Sequence, residues 1–257
     1  MQKEPEKDGL IAGRRDIRQA YRDEGVAAEY IARRFVEPLG AMLHEQQIAR
    51  MRQLIREADP ARVLEIAPGP ARLSSELSAD LRGRETLMDA SAQMLAQARS
   101  RLRNAGVTSS ALVQADAFRM PFVQAFDLIY SFRLIRHFDA ADRARLYAQI
   151  VQALRPGGLL VFDAVNDRVA RPYRERDGGA CQHYDALLTR EQLATELAAA
   201  GFAVLDFDAV WRRYPLLYQL QVLVRPRSLG LARAAMRLLQ RIPGGEPMEW
   251  IVTCQRR

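Results

Sequence analysis

The sequence predicts an α/β fold built on a mostly parallel sheet. Short apolar runs at 62–67, 85–88, 110–115, 126–131 and 158–163 alternate with helical segments at 71–82, 91–104, 139–154 and 189–200, the alternation that βα units produce. With 257 residues, 49% hydrophobic and 27% charged, the chain is long and apolar enough for a sizeable core, which excludes collagen, disordered and disulfide-scaffold classes.

Taken in order, residues 14–58 carry helical spacing with breaks at Gly25 and near Pro38 to Gly40, so 1–58 is expected as an N-terminal helical cap or lid and 59–257 as the main domain. Ser91 or Asp89 can cap the helix at 91–104 and Asp139 the one at 139–154. Thr189 with Gln192 forms a capping box, and Gly106 and Gly201 follow helix ends. The Pro-Gly-Gly at 156–158 reads as a turn before a buried strand. Two stretches are expected as cap insertions. One, 164–188, is polar and longer than an ordinary connection; the other spans 212–246.

No run of apolar residues is long enough to span a bilayer, and the charged start MQKEPEKDGL is not a secretory signal, so a soluble, cytoplasmic protein is expected. Cys181 and Cys254 lack zinc-site spacing and read as free thiols. The net charge is +7, yet residues 1–210 balance 29 basic against 29 acidic side chains. The excess lies in 211–257, where nine arginines face Glu246 and Glu249, and a local excess points to an anionic ligand, a membrane surface or an acidic partner more than to nucleic acid.

Chemistry enters at VLEIAPGPA (63–71), an apolar strand ending in an acid and running through a Gly/Pro turn into a helix, where Gly69 permits close ligand approach. Ala67, Ala71 and Arg72 stand where a dinucleotide fingerprint needs glycines, so something smaller is indicated. Asp89 ends the second strand, positioned to accept from ribose hydroxyls, and Asp116 ends the third in LVQADAFRMPF (112–122). Each has a plainer competitor: a turn at Gly69, a helix cap at Asp89, a solvated carboxylate at Asp116.

With AFDLIYSFRLIRHF (125–138) and LRPGGLLVFDA (154–164) following in order, residues 61–210 resemble the class I S-adenosylmethionine-dependent methyltransferases. The resemblance implies a Rossmann-like seven-stranded, mostly parallel sheet with helices on both faces plus the N-terminal cap. It implies S-adenosylmethionine as cofactor, with Glu65 and Gly69 against its methionine part and Asp89 on the ribose. Asp116, the Ala117 N–H and Met94 would meet the adenine, and Ser131 would lie beside the sulfonium. Met94 also shares a helical face with Ala98 and Leu102, which reads as core. The family's usual GxGxG is changed here, with Ala67 and Ala71 at the outer positions.

On the acceptor side, His137 after the fourth strand is the candidate general base, with a packing role as its competitor. Arg133 and Arg136 are candidates to clamp an acceptor anion, and Tyr21, Tyr30, His183 and Tyr184 to touch the acceptor or close over the cofactor; His44 reads as a surface or interface residue. Asp163, Asn166 and Asp167 invite a magnesium reading, but no further ligands follow from spacing and no metal is expected. The expected partner is a small acceptor, apolar, lipid-like or anionic, methylated on O, N or C. Residues 131–134 read SFRL in place of the DPPY or NPPY of amino-methylating DNA enzymes, which weakens the alternative of nucleic-acid methylation. A cofactor-binding partner subunit without turnover is the other alternative.

Within 211–246, LLYQLQVLV is apolar enough to line a pocket, and SLGLARAAMRLLQRI (228–242) forms an amphipathic basic helix. Arg233, Arg237 and Arg241 share one face, and Leu231, Ala235, Leu238 and Ile242 another. The segment is expected to cover the acceptor and to favour peripheral membrane association, or else to pack its apolar face on the sheet.

Overall fold

The computed structural model describes residues 37–176 and 185–257. Tyr21, Tyr30, Cys181, His183 and Tyr184 lie outside them.

The core is one sheet in the order β3-β2-β1-β4-β5-β8-β7. Its parallel half holds β1 (Val63–Ile66), β2 (Glu85–Asp89), β3 (Ala111–Gln114), β4 (Phe126–Ser131) and β5 (Leu154–Asn166). β8 (Pro247–Arg256) is inserted antiparallel between β5 and β7 (Phe202–Arg212). A two-residue strand, β6 (Leu187–Leu188), adds an eighth, pairing with Val165 and Asn166 of β5 beyond the end of β4.

Strand alternation sends Val63 to one face and Leu64 to the other, and each face has its own apolar cluster. Helices α1 (Pro38–Ala58) and α2 (Ser74–Leu81) cover the first face through Met51, Leu54, Leu73 and Leu77. There α3 (Ala92–Asn104) covers the edge strands with Ala98 and Leu102. The second face is covered by α4 (Ala140–Ala153) and α6 (Arg190–Ala199), with Tyr147, Ile150, Leu193 and Leu197 buried. Each such side chain stabilises the fold by about 1.5 to 3 kcal/mol of transfer free energy. The part of the expected cap within the described residues, α1, is thus built into the main core.

Helix starts follow the capping chemistry. Ser91 accepts from the Met94 N–H, Asp139 from the Asp142 N–H at 2.8 Å, and Thr189 and Gln192 close their capping box. Because Ser91 caps α3, Asp89 is left for other work. The Pro-Gly-Gly turn is present as an irregularity inside β5, since Phe126 pairs with Leu154 but Leu128 pairs with Leu159. A Cβ on Gly158 would come within 2.9 Å of the Arg155 carbonyl oxygen, so only glycine fits there.

After β5 come α5 (Asp167–Arg176) and β6, and after β7 a helical hairpin: α7 (Tyr214–Gln219), a π-helical turn (Leu220–Val224) and α8 (Leu229–Arg241). Here the sequence reading needs correction. Ala232 and Met236, not the Leu231 stripe, turn inward, and Met236 packs with Leu39 and Met42 of α1, with Trp211 at the end of β7 against the same cluster. Leu231 and Leu238 are 62% and 64% exposed.

Candidate active site

The chain runs β1 to β2 to β3 in one direction and then returns to place β4 on the other side of β1, so a crevice opens at the carboxyl ends of the strands. A cavity of about 460 Å³ occupies it. Its wall is assembled from Glu65 to Pro70 after β1, Met88 to Ser91 after β2, Gln114 to Phe118 after β3, and Phe132 to Leu134 after β4.

The loop after β1 bends through three consecutive alternate left-handed positions, Ala67 (φ 53°), Gly69 (φ 55°) and Ala71 (φ 54°). Only the middle one is a residue that takes this conformation without steric cost. Gly69 donates its N–H to Asp89 at 3.2 Å, and Asp89 also accepts from the Ser91 N–H at 2.9 Å. Burial raises the Asp89 carboxyl to about 6, against the opposing pull of these N–H donors.

Glu65 is buried beneath the loop and accepts from the Ser74 hydroxyl and from the Tyr130 hydroxyl at 3.0 Å. Burial raises it to about 7, more than these two donors lower it. Asp116 is exposed at the tip of β3 and accepts from the Phe118 N–H at 2.9 Å; Ala117 lies beside it on the wall. Met94 is both core and wall: it is buried on α3, and a Cβ added to Gly69 would sit 3.9 Å from its sulfur.

Three acids at three successive strand ends, a glycine approach and the apolar flanks of Met94, Leu134 and Phe138 suit a molecule with hydroxyls at one point and a flat base at another. The donor set therefore fits the adenosine and methionine parts of S-adenosylmethionine, with Glu65, Gly69, Asp89, Asp116, Ala117 and Met94 able to hold it. Sequence reasoning missed Arg72, Phe132, Leu134 and Phe138 on the same wall. Arg72 is buried and reaches back to α1, donating to Gln47 at 2.7 Å and pairing with His44, which also meets Glu76 at 2.6 Å. Its signal was available: in the helix expected at 71–82 it would stand in the first turn, where an arginine opposes the helix dipole and needs another reason to be there.

Other expected residues are placed elsewhere. Ser131 is fully buried and donates to the Ile66 carbonyl at 2.9 Å, tying β4 to β1 instead of facing the cavity. Arg136 is 1% exposed and is committed to carboxylates, with Asp185 at 2.9 Å, Asp163 at 3.1 Å and Glu249 at 2.6 Å. His137 is buried with Nδ1 3.1 Å from Asp185, in that network and off the wall. Arg133 does line the cavity, in a left-handed backbone conformation (φ 67°), with its N–H on Asp163 at 2.6 Å and its guanidinium on Glu249 at 3.2 Å. Arg174 also binds Asp185.

Of the suggested magnesium ligands, Asp163 belongs to this network, Asn166 donates to Glu246 and to the Pro247 carbonyl, and Asp167 pairs with Arg171. Among the described residues, no cluster of His, Cys, Asp and Glu has metal-site geometry. None of LLYQLQVLV (216–224) lines the cavity.

Residues 63–158 match a family model described as a methyltransferase domain. Over 162 residues the chain is 33% identical to trans-aconitate 2-methyltransferase of Streptomyces coelicolor, a match covering 56% of this chain and 52% of that protein. The chain thus spans about half the length of that curated relative. Magnesium protoporphyrin IX methyltransferase of Synechocystis, solved with bound S-adenosylhomocysteine, shares the fold with a TM-score of 0.66 at 11% identity, covering 94% of this chain and 98% of that one. A (4+2)-cyclase shares it with a TM-score of 0.56 at 21% identity, covering 80% of each chain, so the fold alone does not fix the reaction.

Proposed function

We propose, on the premise that residues 63–158 form a class I S-adenosylmethionine-dependent methyltransferase domain, that this chain methylates a small, apolar, lipid-like acceptor. The observation that carries the methyltransferase reading is the convergence of Glu65, Asp89 and Asp116 on one cavity at the strand-order switch.

S-adenosylmethionine, when bound, supplies an electrophilic methyl on a sulfonium. The chain's own work is to hold, orient and exclude water. Asp89 would take the ribose hydroxyls while its bond from Gly69 keeps the loop closed against it. Asp116 and the Ala117 N–H would take the edge of the base and Met94 its face. Glu65 and Arg72 would face the methionine ammonium and carboxylate, with Gln47 and His44 of α1 keeping the guanidinium in place.

The acceptor end of the described wall is Phe132, Arg133, Leu134 and Phe138. Its one charge is already neutralised by Glu249 and Asp163. Such a surface favours an apolar acceptor over a polycarboxylate, which would need an uncommitted arginine. No side chain of that group accepts a proton near neutral pH, so none of these four residues serves the acceptor as a general base. His137 acts through Asp185 as a positioning residue for the Arg136 network.

The test is transfer of labelled methyl from S-adenosylmethionine to quinol-type lipids and to small tricarboxylates. Labelled lipid with unlabelled tricarboxylate is expected. Turnover on the tricarboxylate alone overturns the acceptor class, and tight S-adenosylhomocysteine binding with no turnover on any acceptor selects the partner-subunit reading.

A further inference from the structure

Residues 209–245 contain seven arginines and no acidic residue, a charge equal to that of the whole chain. Among the described residues, eight of the ten exposed large apolar side chains also fall here, with Leu216, Val222, Leu223, Leu231, Leu238 and Ile242 between 47% and 64% exposed. Basic charge and uncovered apolar surface are concentrated in the same helical hairpin.

The hairpin's inner side is fixed. Leu217 and Met236 are fully buried against Leu39 and Met42 of α1. Gln221 accepts from the Leu39 N–H at 3.0 Å, and Trp211 donates to the Leu39 carbonyl at 3.1 Å. Arg225 and Arg237 reach Glu37 and Glu45. Among the described residues the other five arginines have no carboxylate partner. Arg212, Arg213 and Arg227 donate to backbone carbonyls, which leaves their charge uncancelled, while Arg233 and Arg241 are exposed on α8.

At about 100° per residue, inward-facing Ala232 and Met236 leave two outer flanks on α8, one with Leu231, Leu238 and Ile242 and the other with Arg233, Arg237 and Arg241. Nucleic acid would reward the arginines but not the leucines. An anionic bilayer rewards both, the phosphates meeting the guanidinium groups and the acyl boundary meeting the apolar flank.

We infer that the α7–α8 hairpin docks this protein on an anionic lipid bilayer, with the apolar flank of α8 and the π-helical turn in the headgroup–acyl boundary and the unpaired arginines at phosphate level. Among the described residues no helix is long and apolar enough to cross a membrane. The inference stands on this surface and not on the methyl-transfer reading.

Co-sedimentation of the full chain with vesicles tests it. Binding is expected to phosphatidylcholine vesicles containing about 30% phosphatidylglycerol, and not to pure phosphatidylcholine. It should weaken as the Debye length falls from about 10 Å in 0.1 M salt to about 3 Å in 1 M. Arg233→Gln with Arg241→Gln should lower the partition about fivefold for each charge removed. Leu231→Asn with Leu238→Asn should lower it at least about tenfold, with S-adenosylhomocysteine binding and melting temperature unchanged. Failure to sediment with anionic vesicles overturns the inference, as does binding that neither pair weakens. So does a dimer in light scattering that the leucine pair dissolves, which would give the surface to a second copy. Cofactor binding reads out separately, so the docking and the enzymatic reading can fail independently.

Discussion

Glu65 and Asp89 sit at the tips of β1 and β2, while Asp163, Asp185 and Glu249 gather around β5 and β8, and the two groups of carboxylates have opposite surroundings. The first pair accepts hydrogen bonds from neutral donors, two hydroxyls and backbone N–H groups, and burial raises both above the usual carboxylate range, for Glu65 against a small opposing pull from the Arg72 charge. The second group is matched by Arg133, Arg136 and Arg174. Burial pushes Asp185 upward too, but Arg136 and His137 beside it outweigh that and hold it well below the usual range. A carboxylate left with neutral partners retains an electrostatic demand that a ligand can satisfy, whereas one already facing guanidinium groups is scaffold. The cavity wall is therefore built to bind, and the network beside it to hold β4, β5 and β8 in register.

The largest effect should come from the network. Arg136→Met leaves three carboxylates short of a cation, and we expect a loss of about 3 to 5 kcal/mol in denaturant unfolding with S-adenosylhomocysteine affinity kept in the folded fraction. A stable variant with lost affinity would reverse the roles of the two groups.

Next is Glu65. Its folded value of about 7 lies above the ordinary 4.5, so the folded state holds the proton more tightly and stability is fully present below about 4.5 and lost as pH rises to about 7. Glu65→Gln removes that dependence. Between those limits the variant should gain on the parent by about 3 kcal/mol, an order-of-magnitude figure that unfolding at a series of pH values checks. A parallel pair of profiles would place Glu65 in a polar, solvated setting.

The smallest effect concerns the loop itself. Ala67→Gly relieves a left-handed alanine costing about 1 to 2 kcal/mol but adds chain entropy of about 0.5 to 1 kcal/mol, so a net gain between zero and about 1.5 kcal/mol is expected, read as a slightly higher melting temperature. A fall in melting temperature would mean that the alanine methyl contributes more by packing than its backbone costs.

The parallel strands and their strand-end acids were legible in the sequence because each depends on a few neighbouring residues: an apolar run, a turn, an acid. The network was not. Arg136 meets Asp185 and Glu249, 49 and 113 positions away, and no spacing marks such partners. Arg133, Arg136 and His137 therefore looked like acceptor chemistry while Arg136 and His137 serve the sheet. For the helix at 229–241, the alternative that packs the Leu231 stripe on the sheet failed for a different reason. Its pattern holds two apolar stripes, and the one with Ala232 and Met236 is buried, Met236 against α1, leaving Leu231 and Leu238 outside. Periodicity gives the existence of a face and not its direction.

Calorimetric titration with S-adenosylhomocysteine across pH shows whether the cavity takes S-adenosylmethionine through an ionised Asp89. Because Glu65, which would face the methionine ammonium, titrates at about 7 and Asp89 at about 6, affinity should be constant above about 7 and fall by about tenfold per pH unit for each carboxylate that is protonated below it. Asp89→Ala should weaken binding by about 1 to 3 kcal/mol at neutral pH and leave only the upper step. Binding that ignores both pH and the substitution would remove Asp89 from the site, and no binding of S-adenosylhomocysteine at all would remove the cofactor from the cavity.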